Sequence, residues 1–552
     1  MRNSALCLSA AVALVASSIP TGVQASTGPL AHTTDGWVEG SVRNGIESFK
    51  GIPFAAPPIG NLRWRAPQPV RAWSGVLLAT RYRAACMQRG MYPPDASPEP
   101  VSEDCLYLNL WRPAAPSAPH LPVMVWIHGG ALEQGSASVP LYAGVHLARR
   151  GVIVVTVSYR LGALGFLALP ALTTESRRHS SGNYGLLDQL AALRWIQRNI
   201  AAFGGDPGNV TVFGQSAGAM SIAALTTSVL AKGLFQKVIG ESGGLFEPIE
   251  LFSNLRLRGA EAQGERFMHR AGVTSLSELR NIPAEQLLRV PFAPHITVDR
   301  QVIPRAPWES YVHHQTNRVA LLIGWNRNEG AIFLAHREVT PENYYRTLER
   351  TFPALLVRLL APSPGHSVAQ ARATAIAFNT DVRFRWDMWR WARLARQDEG
   401  EPVYVYEFTH SPPYPRHSPY HGLGATHGVE MQYVFDHLEP GGHWGIVDRR
   451  LARVIPAYWV RFARTGNPNG PGLPRWPAFH ISHPRIMALG GKIQPIALRN
   501  VTPLRRITRL YALARFLARD WLALCVAVLL ALVTLISMGM HALRRRRLQL
   551  TR

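Results

Sequence analysis

The sequence predicts an α/β protein built on a mainly parallel β-sheet. A helical segment, Asp188 to Asn199, places Leu190, Leu193 and Ile196 on one apolar face. Strand-like and helix-like segments also alternate along the chain, and this βαβ order is typical of parallel sheets. Four short apolar runs fit strands buried on both faces: Pro122 to His128, Val152 to Val157, Val210 to Phe213 and Val319 to Gly324.

The stretch from about Leu251 to Arg396 has a different pattern. Its strand signal largely fades, while Trp386, Trp389 and Trp391 recur near helical spacing. Large aromatic side chains belong to hydrophobic cores more often than to ligand sites. We therefore expect helices packed over one end of the sheet, with these tryptophans in the core.

Composition narrows the functional classes. The chain has 552 residues, with 59 basic and 35 acidic residues, a formal charge of +24 and 47% hydrophobic residues. This composition excludes a disordered, tail-like protein. Ten arginines lie beyond Pro503; in the rest of the chain the positive charge is spread out, without a basic cluster interleaved with aromatic residues. A nucleic-acid partner is therefore not expected.

The N-terminus has the pattern of a secretory leader. Arg2 precedes an apolar stretch from Ala5 to Ala16, and Pro20 and a small-residue sequence ending at Ala25 follow. The apolar stretch is too short to cross a bilayer core of about 30 Å. Residues 1–25 are accordingly predicted to be a signal peptide, and 26–502 the exported body.

The C-terminus has the pattern of a membrane anchor. Trp521 to Met540 carries no charged residue, and such a helix would cover about 30 Å. We expect a basic juxtamembrane segment at 503–520, able to lie on an anionic lipid surface, and a transmembrane helix at 521–543. An arginine-rich tail at 544–552 would stay in the cytoplasm. These features predict a periplasmic or extracellular body on a single anchor; a buried C-terminal core helix is the alternative.

Cysteine usage agrees with export. Cys7 lies in the predicted leader and Cys525 in the predicted span, so the body retains Cys86 and Cys105. A bond between them in an oxidising compartment would contribute about 3 kcal/mol through the entropy of the closed loop. The sequence has no Cys-x-x-Cys pair and no histidine pair at ligand spacing, and we predict no metal site.

A candidate nucleophile lies in the sequence Gly214-Gln215-Ser216-Ala217-Gly218. This segment follows a predicted strand and precedes a small-residue stretch that suits a helix. A nucleophile on such a sharp turn must pass close to neighbouring strands, and flanking glycines avoid side-chain collisions. The pattern is weak by itself, and its strand, turn and helix context strengthens it.

The surrounding sequence is more specific. Residues 203–221, FGGDPGNVTVFGQSAGAMS, closely resemble the type-B carboxylesterase and cholinesterase family of α/β hydrolases. Glu103 to Asn109 and Gly51 to Ala55 resemble two further blocks of that family, and the resemblance runs from about Gly36 to Trp476. It implies an α/β-hydrolase fold with a helical cap region and a serine carboxylic-ester hydrolase that acts through an acyl-enzyme. A small-molecule ester would be the substrate, and no cofactor is implied.

The resemblance also assigns catalytic roles. The family's nucleophile falls on Ser216, its carboxylate on Glu329 in Asn328-Glu329-Gly330, and its base on His427 in Thr426-His427-Gly428. A serine hydroxyl needs such a base, and the base needs a carboxylate to orient it. The chain order of serine, acid and histidine is that of α/β hydrolases. His421 is the alternative base.

Backbone amides complete the implied site. The family's oxyanion-hole donors fall on Gly130, Ala131 and Ala217. Many members have glycine where this chain has Ala131, and alanine disfavours a positive φ.

Further residues match or depart from the family's pattern at structural positions. Cys86 and Cys105 fall on the family's first disulfide, and Arg63 and Glu103 on an ion pair beside it. Gln215 stands where glutamate is common.

The sequence leaves open both the function and the substrate. The family includes non-catalytic adhesion proteins, so a membrane-anchored recognition ectodomain is the alternative function. Three occupied catalytic positions favour the enzyme. The loop between Cys86 and Cys105 contains no tryptophan, which argues against a quaternary-ammonium substrate. The natural ester, its acyl length, lactone or amide hydrolysis and the oligomeric state are not predicted.

Overall fold

A computed structural model describes residues 28–90, 100–116, 118–247, 255–398, 400–438 and 442–550. Within the C-terminal helix, the side chains of 518–525, 527 and 540–550 are not described. The predicted signal peptide at 1–25 lies outside these ranges.

Sixteen strands are assigned in the described part of the chain. They are β1 (Leu30–Thr33), β2 (Gly36–Glu39), β3 (Ser41–Arg43), β4 (Ile46–Pro53), β5 (Val76–Leu78), β6 (Ala85–Cys86), β7 (Val101–Ser102), β8 (Tyr107–Pro113), β9 (Leu121–Ile127), β10 (Ile153–Val157), β11 (Gly205–Gln215), β12 (Lys237–Glu241), β13 (Ala320–Asn326), β14 (Val403–Phe408), β15 (Arg485–Leu489) and β16 (Gln494–Ala497).

Sixteen α-helices are assigned in the same residues. They are α1 (Val145–Ala148), α2 (Gly162–Phe166), α3 (Pro170–Glu175), α4 (Tyr184–Asn199), α5 (Ala217–Leu225), α6 (Leu257–Arg270), α7 (Leu276–Asn281), α8 (Ala284–Leu287), α9 (Pro307–Val312), α10 (Tyr344–Glu349), α11 (Ala354–Leu360), α12 (Val368–Thr380), α13 (Trp386–Gln397), α14 (Met431–Val434), α15 (Ile446–Thr465) and α16 (Thr502–Leu550).

Eleven strands form the central sheet, in the order β16-β15-β14-β13-β12-β11-β9-β10-β8-β4-β3. The pairs from β10 through β15 are parallel, and antiparallel pairs close both edges. The carboxyl ends of the central parallel strands therefore share one edge, where ligand sites of open α/β sheets lie. Two small separate sheets, β1-β2-β5 and β6-β7, flank the N-terminal part.

The sheet separates two hydrophobic cores, as the alternation along β9 shows. Val123, Val125 and Ile127 enter one core, whereas Met124 and Trp126 enter the other. Helices cover both faces, which explains why the central strands are apolar throughout. On the first face lie α4, α5 and α13; on the second lies α15.

The sequence located the central elements well. Each of the four predicted strands corresponds to part of β9, β10, β11 or β13, and the predicted helix lies within α4. Trp386, Trp389 and Trp391 are at most 6% exposed. Helices dominate the region between β12 and β14 that is described, interrupted by β13.

The beginning of α16 packs against the body. Leu504, Ile507, Tyr511 and Arg515 recur every three or four residues and are buried. Trp386 donates a hydrogen bond from its indole nitrogen to Thr508 (3.0 Å). The first part of the juxtamembrane segment thus differs from the lipid-facing expectation, because Leu504, Ile507 and Tyr511 are covered by protein, whereas Leu513, Phe516 and Leu517 are exposed.

The predicted membrane span at 521–543 is not found. Counting only described residues, no helix combines the length and apolar content that crossing a membrane requires.

Candidate active site

Ser216 lies on a sharp turn at the carboxyl edge of the central sheet. The turn joins β11 to α5, and Ser216 has φ 55° and ψ −124°. Residues other than glycine rarely adopt this backbone conformation. A Cβ atom on Gly214 or Gly218 would lie 2.5 Å or 2.1 Å from the carbonyl oxygen of Ile127. The flanking glycines therefore let the turn approach the neighbouring strand. The Ser216 amide donates to the carbonyl of Glu241 (2.8 Å), which fixes the turn to β12.

Glu329 follows β13 at the same edge of the sheet. It begins a 3₁₀ helix, Glu329–Leu334, and is fully buried. Its Oε1 accepts a hydrogen bond from the Asn326 amide (2.7 Å). Its Oε2 accepts one from Nδ1 of His427, also 2.7 Å away. The carboxylate can thus hold the imidazole in the orientation that a catalytic base needs.

His427 lies in the loop between β14 and α14. Asn326 secures this loop by donating from its side chain to the carbonyl of Thr426 (2.8 Å). The ring of Phe384 stacks on the imidazole, with centroids 4.4 Å apart. Phe384 belongs to a π-helical turn, Asp381–Arg385, between α12 and α13. The ring of His427 is therefore fixed both at its edge and on its face.

The alternative base has a different environment. His421 is exposed, and its Nδ1 lies 2.7 Å from the carbonyl oxygen of Tyr414. Of the two candidates, only His427 contacts Glu329 among the described residues. The geometry therefore favours His427.

Gln215 adds a contact that the sequence did not predict. Its side-chain nitrogen lies 3.2 Å from Nε2 of His427. In the described part of the chain, no hydrogen bond joins the Ser216 hydroxyl to His427. The structure therefore joins the acid and the histidine by a hydrogen bond.

The loop after β9 holds two of the candidate oxyanion donors. Gly130, Ala131 and Leu132 all have positive φ values, 105°, 57° and 62°. The carbonyl of Gly130 accepts hydrogen bonds from the amides of Glu133 and Gln134 (3.0 Å each). Ala131 thus adopts the left-handed conformation that alanine disfavours.

The amides themselves are free to donate. Within the described residues, no acceptor binds the N–H groups of Gly130, Ala131 or Ala217. Ala217 is the first residue of α5, where a helix leaves its amide without an internal partner. Backbone donors without an acceptor are one requirement of an oxyanion site.

His128, immediately before this loop, has a structural environment. Its ring is 1% exposed and stacks on Tyr159, with centroids 4.5 Å apart. Burial lowers the pKa of His128 to about 4. The neutral ring donates from Nδ1 to the carbonyl of Gly129 (2.8 Å). His128 therefore supports the loop and remains uncharged near neutral pH.

Two further acids, Glu430 and Glu241, are buried and lie close enough to influence each other's pKa. Burial and the charge of Glu329 raise the pKa of Glu430 to about 7. Burial also raises the pKa of Glu241 well above its usual range, and Trp459 donates to its carboxyl group (2.8 Å). The Asn326 side chain donates to Glu430. Both acids therefore favour the protonated form in mildly acidic solution.

The predicted disulfide is formed between Cys86 and Cys105, with sulfur atoms 2.05 Å apart. Arg63 and Glu103 make a paired contact beside it, at 2.7 Å and 2.5 Å. Gln88 connects this region to the oxyanion loop. Its side-chain amide donates to the carbonyls of Cys86 and Gly135 and accepts from the Gly135 amide, at 2.9 Å in each case.

Sequence reasoning found the triad candidates but missed their nearest neighbours. The position of Gln215, next to the candidate nucleophile in the sequence, could have indicated that its side chain lies in the site. Nothing in the sequence around Phe384 indicated its contact with His427, since the two residues lie in distant segments of the chain. Within the described residues, no group of three or more histidine, cysteine or acidic side chains could hold a metal ion.

Comparisons with known proteins show which proteins this chain is similar to. Residues 27–502 match the carboxylesterase family. The chain is 38% identical to para-nitrobenzyl esterase of Bacillus subtilis, over 85% of this chain and 96% of that protein. It is 36% identical to fumonisin B1 esterase of Sphingopyxis macrogoltabida, over 87% and 90% of the two chains. A solved thermophilic PNB esterase superposes with a TM-score of 0.76 at 35% identity, covering 87% of this chain and all of its own.

Proposed function

This chain belongs to the carboxylesterase family, and from that premise we propose that it cleaves carboxylic esters with Ser216, His427 and Glu329 as its catalytic triad. It has the α/β-hydrolase fold and is a serine carboxylic ester hydrolase. The hydrogen bond of 2.7 Å between His427 and Glu329, at the sheet edge that carries the strained Ser216 turn, is the observation that carries the assignment.

In the first half-reaction, Ser216 Oγ attacks the carbonyl carbon of the ester. Its proton passes to Nε2 of His427, and the resulting imidazolium is stabilised by Glu329. The carbonyl oxygen becomes negatively charged and accepts hydrogen bonds from the amides of Gly130, Ala131 and Ala217. Each such donor lowers the barrier by about 2.7–4 kcal/mol. The carbon–oxygen bond to the alcohol then breaks, and the imidazolium protonates the departing alcohol.

In the second half-reaction, water replaces the alcohol. His427 takes a proton from the water as it attacks the acyl carbon, and the same amides receive the oxyanion. The bond between Ser216 Oγ and the acyl carbon breaks, Oγ regains the proton, and the carboxylic acid leaves. Since Nε2 must accept a proton in both halves, the amide of Gln215 must give way to Ser216 when substrate binds.

The test is hydrolysis of short para-nitrophenyl esters by the wild type and by Ser216→Ala. We expect loss of turnover in the variant by several orders of magnitude, because binding and oxyanion donors alone leave only about 10³–10⁴-fold catalysis over water. A mass increase of one acyl group on Ser216 in quenched wild type would identify the intermediate. A wild type inert toward all such esters would instead favour the recognition ectodomain.

We also propose that the body is exported and held at a membrane by the segment 521–543. The disulfide Cys86–Cys105 supports an oxidising compartment. Exposed apolar side chains of α16, from Val526 to Met538, support the attachment. Fractionation of cells that express the full chain tests this proposal. Recovery in the cytosol with free thiols at both cysteines would contradict it.

A further inference from the structure

A cavity of about 870 Å³ borders the loop that carries the candidate oxyanion donors. Glu133 and Gln134 line it, and both donate their amides to the carbonyl of Gly130. The cavity therefore begins within one turn of the proposed oxyanion site. Its volume falls in the range of about 300–1,000 Å³ that small-molecule sites occupy.

The lining combines an apolar wall with positive charge. Three arginines, Arg89, Arg266 and Arg270, face one carboxylate, that of Glu133. The apolar wall is formed by Ala163, Leu164, Leu287, Leu288, Val290 and Phe292. Such a cavity suits a molecule with an apolar stem and a negatively charged end.

Arg89 is anchored between two walls of the cavity. It follows Gln88, which is hydrogen-bonded to Gly135 at the end of the oxyanion loop. Its Nε donates to the carbonyl of Leu288 across the cavity. The terminal nitrogens of Arg89 have no hydrogen-bond partner among the described residues, so they can bind a ligand.

Arg266 and Arg270 lie four residues apart on α6, on the same side of the helix. The helix is held closely against the body, because a Cβ on Gly264 would lie 1.8 Å from the carbonyl oxygen of Ala168. Neither arginine forms an ion pair with a described residue. Two like charges at this spacing destabilise a helix, and a bound anion would relieve that repulsion.

We propose that this cavity is the subsite for a carboxylate group of the ester substrate, bound by Arg89, Arg266 and Arg270. The natural substrate is then an ester whose acid or alcohol part carries an apolar chain ending in a carboxylate. This inference rests on the proposed esterase function, because the subsite acts on a substrate that Ser216 cleaves.

The kinetic test compares charged and neutral esters of matched size. On the acyl side, the pair is the mono-para-nitrophenyl ester of glutaric acid and its methyl-capped form. On the alcohol side, the pair is 4-carboxyphenyl butanoate and its methyl ester. The wild type is compared with the double variant Arg266→Gln/Arg270→Gln.

We expect the double variant to lose about tenfold in kcat/KM on the charged ester of one pair, mainly through KM, since each exposed charge pair contributes modestly. Its kcat/KM on the neutral partner should change less than about twofold, because no charge is bound there. The advantage of the charged ester should also shrink at high salt. Arg258→Gln, a substitution on α6 outside the cavity lining, is the matched control and should match wild type.

Equal losses on charged and neutral esters, or no loss on either pair, would overturn the subsite. A binding experiment separates this failure from failure of the esterase assignment. Ser216→Ala is titrated calorimetrically with glutarate, with and without the two arginine substitutions. Glutarate binding that weakens about tenfold on substitution supports the subsite even in a protein without turnover; glutarate binding that is absent or unaffected contradicts it.

Discussion

The side-chain nitrogen of Gln215 lies 3.2 Å from Nε2 and 3.4 Å from Nδ1 of His427. The side-chain amide of Gln215 therefore lies within hydrogen-bonding distance of both nitrogens of the imidazole. Since the proposed proton transfer uses Nε2, residue 215 is placed to influence the charge state of the base.

Replacing Gln215 with glutamate tests this influence. A carboxylate beside the imidazole favours the charged imidazolium, which cannot accept the proton of Ser216. The acid limb of kcat/KM against pH should move upward by about one pH unit, since one unit corresponds to a modest 1.36 kcal/mol. Gln215→Met, which adds no charge, is the control. An identical shift in both variants would show that packing, and not charge, is responsible.

Glu329→Gln should lower kcat by about 10⁴-fold at an unchanged fold, because an amide cannot hold the imidazole in the required tautomer. Steady-state kinetics with a para-nitrophenyl ester and a circular dichroism spectrum measure the two properties. Glu338→Gln alters an exposed acid and serves as the control. A loss smaller than about tenfold would remove Glu329 from the triad.

Glu430 should make stability depend on pH. The folded protein raises the pKa of Glu430 from 4.5 to about 7, mainly through burial. Its folded form therefore binds the proton more tightly than its unfolded form, and this contribution is full below pH 4.5 and lost as pH rises through about 7. Glu430→Gln cannot lose a proton.

The variant should accordingly gain stability relative to wild type between pH 5 and pH 8. Urea midpoints at both pH values measure the gain. Titrating groups distant from Glu430 are common to both proteins, and their contributions cancel in the comparison. Equal midpoint differences at the two pH values would contradict the shift.

Arg515 should stabilise the packing of α16 against the rest of the protein. It is 9% exposed, donates to the carbonyl of Phe246 (2.9 Å) and lies over the ring of Trp308. Hydrogen bonds to charged groups contribute about 1.5–3 kcal/mol, so Arg515→Met should destabilise by about 2 kcal/mol. Arg509→Met, at an exposed position of the same helix, should cost less than about 0.5 kcal/mol. Urea unfolding compares them, and equal losses would refute a specific role for Arg515.

The sequence predicted those features that short segments encode. Strands such as β9 were visible because burial on both faces requires an unbroken apolar run, and the Ser216 turn was visible because its glycines are adjacent in the chain. The antiparallel edges were not predicted, since β4 and β8 pair across a separation that no local pattern records.

The candidate site likewise combines features that local sequence indicates with features that depend on long-range packing. Glu329 and His427 were identified as candidates through the resemblance of their local motifs to the family, yet their contact depends on a fold that joins residues 98 positions apart. Stacking of Phe384 on His427 and the burial of Glu430 depend on packing of several elements. The inner face of α16 was misjudged because arginines between apolar residues suit a lipid surface and a protein surface equally well.

Gln88 gives the disulfide an importance beyond folding. The Cys86 carbonyl and both polar groups of Gly135 are hydrogen-bonded to this one side chain. We expect that loosening at the sulfur bridge would reach, through Gln88 and Gly135, the loop that holds the candidate oxyanion donors. Treatment with a mild thiol reagent should for this reason slow turnover at concentrations that still leave the rest of the protein folded.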